Sequence, residues 1–188
     1  MRIEPLNIAL SVLLTASMAS AMAATQDAPV TLNISGTVNA DSADYCMITL
    51  DKNVINLNSS AKDLIHQGEN ATSPEQLSLS VQSPDQNWTK CDKEIYDGKI
   101  AVKFMGTYDN ADGTTFANIA TGENAAAGVG IGLFNYDNSP IDVRNIYNIR
   151  DNTNISVNYI GIQLVKLTDQ TVKTGAVTGN ITFEIERL

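Results

Sequence analysis

Alternation of apolar and polar residues at both ends of the sequence constrains the fold of this chain most. Residues 177–188 follow the two-residue period of a β-strand. One face of that strand would carry Val177, Gly179, Ile181, Phe183 and Ile185. A second pattern of the same period places Val30, Leu32, Ile34, Gly36 and Val38 on one face. Because unanchored chain ends usually fray and strands need partners, the two patterns favour a protein that exchanges strands between chains.

The first 23 residues are predicted to be a secretory signal peptide. An apolar run over residues 6–16 is followed by small residues and by a cleavage pattern at Ala21-Met22-Ala23. A membrane anchor is the alternative, although the run is shorter than the ~20 residues that span a bilayer. The remaining chain is long enough for one domain with a core of its own.

The composition after the signal indicates an all-β protein. Thr, Val, Ile, Asn and Gly are common and strong helical patterns are scarce. Seven to nine short strands separated by turn signals suggest an immunoglobulin-like β-sandwich, with residues 59–75 as a long surface connection. The net charge of −9 disfavours nucleic acid and anionic membranes as partners.

The two cysteines, Cys46 and Cys91, are predicted to form a disulfide. An even count in an exported chain favours one bridge. A closed loop of roughly 46 residues is worth about 4 kcal/mol in the chain-entropy model. A redox or metal pair is the alternative, but the sequence has no Cys-x-x-Cys motif and one histidine.

Catalytic and metal-binding patterns are weak. His66 lies in a polar segment and is expected to face solvent, so neither a serine nor a cysteine triad has the necessary parts. Asp109, Asp112 and Asp137 have Asn or Gly neighbours, as in calcium loops, but they do not follow the EF-hand spacing. Turn chemistry is the favoured interpretation, and we expect no enzyme activity, metal or cofactor.

Several segments, in order and spacing, resemble fimbrial (pilus) subunits of the chaperone–usher class, the type 1 pilin-like family. They are TLNISGTV at 31–38, QLSLSV at 76–81 before Cys91, IAVKFMGT at 100–107, AAAGVGIGLFNYDNSPI at 125–141, and the final hairpin at 157–185. Gly175 stands fourteenth from the end, where such subunits usually carry a glycine.

The resemblance implies an incomplete immunoglobulin-like β-sandwich that lacks its final strand. A periplasmic chaperone covers the resulting groove until the outer-membrane usher replaces it with the N-terminal extension of the next subunit. Residues 24–38 would then be the donor extension and residues 39–188 the pilin domain. The donor side chains would be those of Val30, Leu32, Ile34 and Val38, with Gly36 where the groove leaves no room for a side chain.

The same resemblance assigns the other end of the chain to the acceptor groove. Its wall would be formed by Val177, Gly179, Ile181, Phe183 and Ile185. The carboxylate of Leu188 would bind basic residues of the chaperone. The resemblance further implies export through the periplasm to a surface fimbria that supports cell adhesion, with host receptors contacted only indirectly.

Two departures from the family pattern and two alternatives accompany this interpretation. The stretch before Cys91 that contains Trp88 is longer than is usual in the family. The family usually has an aromatic residue next to last, where this chain has Arg187. Residues 30–38 could instead be an ordinary first strand of the chain's own domain. The chain would then be a secreted, self-complete β-sandwich binding module, lectin-like or periplasmic. A tip adhesin would need a further receptor-binding domain and would lack the N-terminal extension.

Overall fold

The computed structural model describes residues 30–36, 46–83, 90–149 and 157–188. The predicted signal peptide, Val38 and Trp88 lie outside these ranges. Within them the chain forms twelve strands and one short helix. In chain order these are β1 Val30–Gly36, β2 Met47–Leu50, β3 Val54–Leu57, β4 Ile65–His66, β5 Glu75–Gln82, α1 Lys90–Tyr96, β6 Ile100–Met105, β7 Phe116–Ala117, β8 Val129–Phe134, β9 Pro140–Ile141, β10 Tyr147–Asn148, β11 Val157–Lys166 and β12 Thr178–Arg187.

The strands form two sheets, as the predicted sandwich requires. The first sheet has the order β10-β6-β12-β1-β3, and the second has β2-β5-β11-β8-β7 with β4 beside β11 and β9 beside β8. Eight of the described strands have four residues or more, within the predicted range of seven to nine. The all-β prediction is confirmed.

The main core lies between the sheets and takes one face of strands such as β12 and β5. In β12, Ile181 and Phe183 are fully buried, while Asn180 before them and Glu184 after them are exposed. In β5, Leu77, Leu79 and Val81 are fully buried. Alternation in the sequence thus becomes alternation of burial, because successive side chains point to opposite faces of a strand.

Helix α1 was not predicted. It is only seven residues long, too short for a repeated helical pattern to stand out. Cys91 and Ile95 lie one turn apart and are both buried, which fixes the apolar side of the helix. On the exposed side, Lys93 Nζ donates to a carboxylate oxygen of Asp97 at 2.6 Å.

The prediction of residues 59–75 as a surface connection was wrong in one respect, because part of that segment packs on the outer face of the second sheet. Ile65 and Ala71 form a second buried cluster with Phe134 and Val165. The buried side chain of Gln163 accepts hydrogen bonds from the backbone N–H of Thr72 and Ser73, both at 3.0 Å. Isolated apolar residues in a polar stretch gave no periodic signal for this packing.

Asp109 organises the turn that follows β6. Its side chain is 7% exposed. One carboxylate oxygen accepts from the backbone N–H of Ala111, Asp112 and Gly113, and the other accepts from Thr115 and from the side-chain amide of Gln67. The turn chemistry predicted for Asp109 is therefore present. Asp137 has a similar function in the turn between β8 and β9, where it accepts from the backbone N–H and hydroxyl of Ser139.

None of the described helices is long and apolar enough to cross a membrane.

Candidate functional site

The candidate site is a slot for one strand between β12 and β3. Strand β1 occupies that slot, parallel to β12 and antiparallel to β3. Its ladder with β12 runs from Thr31 to Gly36, and its ladder with β3 runs from Val30 to Asn33. Without β1, the two neighbouring strands would each present a row of unpaired backbone N–H and C=O groups.

The register of β1 is in phase with the burial of its neighbours. Along β12, the partners of Leu32, Ile34 and Gly36 are Gly179, Ile181 and Phe183. All three partners are buried. A shift of one residue would move the even-numbered positions of β1 to the opposite face, so this register is the one that matches the apolar pattern to the core.

The register also pairs large residues with small ones. Leu32 stands beside Gly179, and Gly36 stands beside Phe183. Neighbouring positions on one face of a sheet share space, so a glycine at each place reduces crowding next to a larger residue. Glycine weakens a strand through its backbone entropy. The register therefore places a glycine beside a larger residue at both pairs of positions.

Strand β3 forms the other wall. Ile55 and Leu57 are 3% and 5% exposed, whereas Val54 is 44% exposed. The register places Val30 opposite Leu57 and Leu32 opposite Ile55. The burial of β3 thus alternates along the strand, but sequence reasoning did not assign this segment to the slot.

The β12 wall is held from behind by β6, which pairs with it in antiparallel fashion. Phe183 pairs with Phe104 across the ladder, and their rings meet edge to face with centroids 5.5 Å apart. Tyr147 packs on Phe104 with ring centroids 5.7 Å apart. Burial raises the pKa of the Tyr147 phenol. This aromatic group packs behind the middle of the wall.

The end of β12 is tied to α1 and to the start of β6. The side chain of Arg187 forms an ion pair with Glu94, and the backbone N–H of Leu188 donates to the carbonyl of Lys99 at 2.9 Å. The Leu188 side chain is 59% exposed. Arg187, in place of the usual aromatic residue, thus links the last strand to the helix, a contact that the sequence did not reveal because α1 was not predicted.

The predicted disulfide is present. Cys46 and Cys91 are bonded with a Cα–Cα distance of 5.3 Å, and both are buried. The bridge joins the residue before β2 to helix α1. It therefore ties the helix to the start of β2.

The predicted site residues are brought together only in part. Leu32, Ile34 and Gly36 lie beside Gly179, Ile181 and Phe183, but they do so within one chain. Val177 is buried and Ile185 is half-buried, and both lie outside the ladder with β1. Val38 lies outside the described residues.

Gly175 has a position of its own, next to the segment that precedes β8. A Cβ atom on Gly175 would lie 2.3 Å from the backbone oxygen of Asn124. The backbone N–H of Ala176 donates to that same oxygen at 2.7 Å. The glycine noted in the sequence therefore permits a close backbone approach at the entrance to β12.

The residues considered for metal binding do not form a metal centre within the described ranges. No group of three or more His, Cys, Asp or Glu side chains is arranged to hold an ion in that part of the chain. His66 is exposed, as predicted. The slot offers backbone hydrogen bonds and apolar positions, which are the means of binding an extended peptide.

Comparison with known proteins gives a consistent result. The model of the family described as fimbrial protein matches residues 32–186, which is most of the chain. No curated protein sequence matches. Among solved structures, the crystal structure of the P pilus rod subunit PapA is similar, with a TM-score of 0.51 and 16% sequence identity over 81% of this chain and 97% of that chain. At that identity the similarity is one of fold.

Proposed function

The chain belongs to the fimbrial protein family and is a structural subunit of a surface fimbria, and from this premise we propose that it polymerises by donor-strand exchange. In this reaction the segment around residues 30–38 of one subunit fills the slot between β12 and β3 of the next. The slot takes a single strand with an apolar face, and both of its walls can form backbone ladders. That observation carries the proposal.

The register supports specific roles for the donor residues. Leu32 and Ile34 of a neighbouring subunit would provide apolar side chains. Gly36 would lie beside the large side chain of Phe183, where it adds no side chain of its own. Main-chain hydrogen bonds would supply affinity, while the alternate positions would supply specificity. Val30 and Val38 would extend the apolar face at its two ends.

An open slot is an aggregation hazard, since two strand edges and part of the apolar core would be exposed together. We propose that a periplasmic chaperone covers the slot during export and that an outer-membrane usher oversees its replacement. The carboxylate of Leu188 would contribute to chaperone binding. The assembled fimbria would support adhesion, with the host receptor contacted through other subunits.

A chain without its donor segment tests this proposal. Co-expression of the full chain with a variant lacking residues 24–36 should shorten the fimbriae in proportion to the share of the variant. The truncated subunit accepts a strand but has none to donate, so it ends the polymer. Fimbrial length is measured by negative-stain electron microscopy, and a variant with residues 24–29 deleted, which keeps β1, is the matched control.

A specific observation favours the alternative function, a self-complete binding module. Strand β1 completes the first sheet of its own chain, which is the arrangement expected of such a module. In that case the truncated variant would not fold, fimbrial length would not depend on its dose, and the full chain would remain monomeric. These outcomes would overturn strand exchange.

A further inference from the structure

We propose that a cavity on the outer face of the second sheet binds a short alkylammonium ion, with the aliphatic tail inside and the charged head at the mouth. The cavity has a volume of about 200 Å³ and is lined in part by strands β8, β9 and β11. These strands belong to the second sheet, whereas the slot lies in the first. The proposal therefore does not depend on strand exchange.

Apolar residues form the floor of the cavity. Phe134 and Val165 are buried members of the second cluster, and Pro140 and Ile141 of β9 lie beside them in the lining. Gly132 adds no side chain to this floor, and a Cβ atom there would lie 2.9 Å from the Phe134 ring and 3.0 Å from Cγ1 of Val165. The floor thus has a place for an aliphatic tail, which gains free energy when it leaves water.

Two carboxylates line the same cavity closer to solvent. Asp112 is exposed and Asp142 is half-buried, in contrast to the buried floor. Asp142 is already paired with Arg144, whose Nη2 lies 2.6 Å from a carboxylate oxygen. Asp112 accepts hydrogen bonds from neutral groups, the backbone N–H and hydroxyl of Thr114 and the side-chain amide of Gln67. Because these donors carry no charge, Asp112 keeps its negative charge for a cationic ligand.

The neighbouring charges favour a cation over an anion. The pKa of Arg144 is raised, first by its hydrogen bond to Asp142 and further by the charges of Asp142, Asp112 and Asp109. One guanidinium thus stands among three carboxylates, which leaves an excess of negative charge at the mouth. An ammonium group is attracted there, and a carboxylate or phosphate ligand is repelled.

The size of the cavity and the place of its charges define the ligand further. An apolar cavity of about 150 Å³ admits benzene in another protein, so a cavity of about 200 Å³ has room for a butyl chain. Since the carboxylates lie at the mouth, the ion enters with its tail first. A lysine side chain would enter with its charge first and place the ammonium group on the apolar floor, which is costly. A free alkylamine is therefore the ligand class that fits.

A ligand series added to the full, isotope-labelled chain tests the site without any substitution. Butylammonium should shift the backbone amide signals of Thr114 and Ile141 in NMR spectra, with a saturable response and a Kd on the order of millimolar, as expected for a ligand of so few atoms. Butanol lacks the charge, methylammonium lacks the tail, and the diammonium ion of 1,4-diaminobutane carries a second charge at the end of the tail. Each should bind roughly tenfold more weakly.

The same series identifies the results that overturn the proposal. If the diammonium ion or methylammonium binds as tightly as butylammonium, charge attraction at the surface explains the response and the cavity is not the site. If N-acetyl-lysine methylamide binds as tightly as butylammonium, the tail-first orientation and the preference for a free amine are wrong. Absence of a saturable shift with butylammonium would overturn the site itself.

A pair of matched variants tests the assigned carboxylate. Asp112→Asn keeps an oxygen that accepts from Thr114 and Gln67 but removes the charge, so it should weaken butylammonium by about fivefold and leave the affinity for butanol unchanged. Glu184→Gln removes one negative charge from the exposed side of β12, in the other sheet, and should leave both affinities unchanged. Equal loss of butylammonium binding in the two variants would show that net charge, and not Asp112, attracts the ion.

Discussion

Gly36 of β1 lies beside Phe183 of β12 in a parallel ladder, and the neighbouring Ser35 lies beside Thr182. Phe183 is fully buried, and its ring packs edge to face on that of Phe104. Phe183 therefore cannot easily move away from a larger side chain at position 36. Gly36 and Ser35 should therefore differ in how well they tolerate a larger side chain. The difference can be measured in the isolated chain, independently of assembly.

We expect Gly36→Val to destabilise the full chain by about 1–3 kcal/mol, the usual cost of overpacking a core position. Ser35→Val introduces the same side chain on the other face, where the effect should be within about 0.5 kcal/mol. Urea unfolding followed by circular dichroism measures both values. Equal destabilisation by the two substitutions would show that the register is wrong.

Phe183→Asp should destabilise the chain by at least about 3 kcal/mol and abolish fimbriae. The change removes a fully buried ring and leaves a carboxylate without a partner in its place. Thr182→Asp places the same charge one residue away on the outer face and should cost less than about 1 kcal/mol. Thermal unfolding and counts of fimbriae by electron microscopy are the measurements, and similar loss in both variants would contradict the assigned faces.

Gly175→Ala should destabilise the chain by about 1–3 kcal/mol, since the new methyl group would collide with the backbone oxygen of Asn124. The control is Gly98→Asn, at a positive φ of 69° with open space around it, which should cost only a few tenths of a kcal/mol. Chemical denaturation compares the two. If Gly175→Ala leaves the free energy of unfolding unchanged, the segment before β8 moves aside easily.

Asp109 should make stability depend on pH in acid. Burial alone raises the pKa of this carboxyl, but hydrogen bonds from the backbone of Thr115, Ala111 and Gly113 outweigh burial and hold the pKa below its ordinary value of 3.8. Because the folded pKa is the lower one, the stabilisation is present above the unfolded pKa and is lost as pH falls through the folded pKa.

Asp109→Asn should therefore be less stable than the parent chain at pH 7, and the difference should shrink as the pH falls below 3.8. The free energy of unfolding at several pH values from 7 to 2 gives this comparison. Asp137→Asn, in an exposed turn, is the control and should show a smaller difference at pH 7. A pH-independent difference for Asp109→Asn would rule out its ionisation as the cause.

The sequence predicted the sandwich, the disulfide and the buried face of β12 because each leaves a local pattern. The alternation that includes Ile181 and Phe183 predicts which face is buried, and a pair of cysteines in an exported chain predicts a disulfide. Alternation over residues 30–36, in contrast, predicts a strand with a buried face but does not indicate which chain provides its partner strands. Both the intramolecular ladder and the intermolecular one satisfy the same pattern.

Other features depended on contacts between distant segments and left no periodic signal. The ion pair of Arg187 with Glu94 could be predicted only if α1 was predicted first. The helix is too short for its sequence to show a helical period. Ile65 and Ala71 are single apolar residues in a polar stretch, so their burial on the second sheet became visible only once Phe134 and Val165 were placed beside them. The second wall of the slot, β3, was not identified from the sequence as a partner of β1.

The pairing of β1 with β12 joins segments from opposite ends of the described chain, and this has a consequence for the time course of folding. Contacts between residues far apart in sequence form late, because the entropy of closing the intervening loop is lost before they are gained. We therefore expect the slot to be unfilled for an interval after the rest of the sandwich has formed. During that interval a strand from another protein meets no resident competitor, so the order of synthesis, export and encounter determines which strand arrives first.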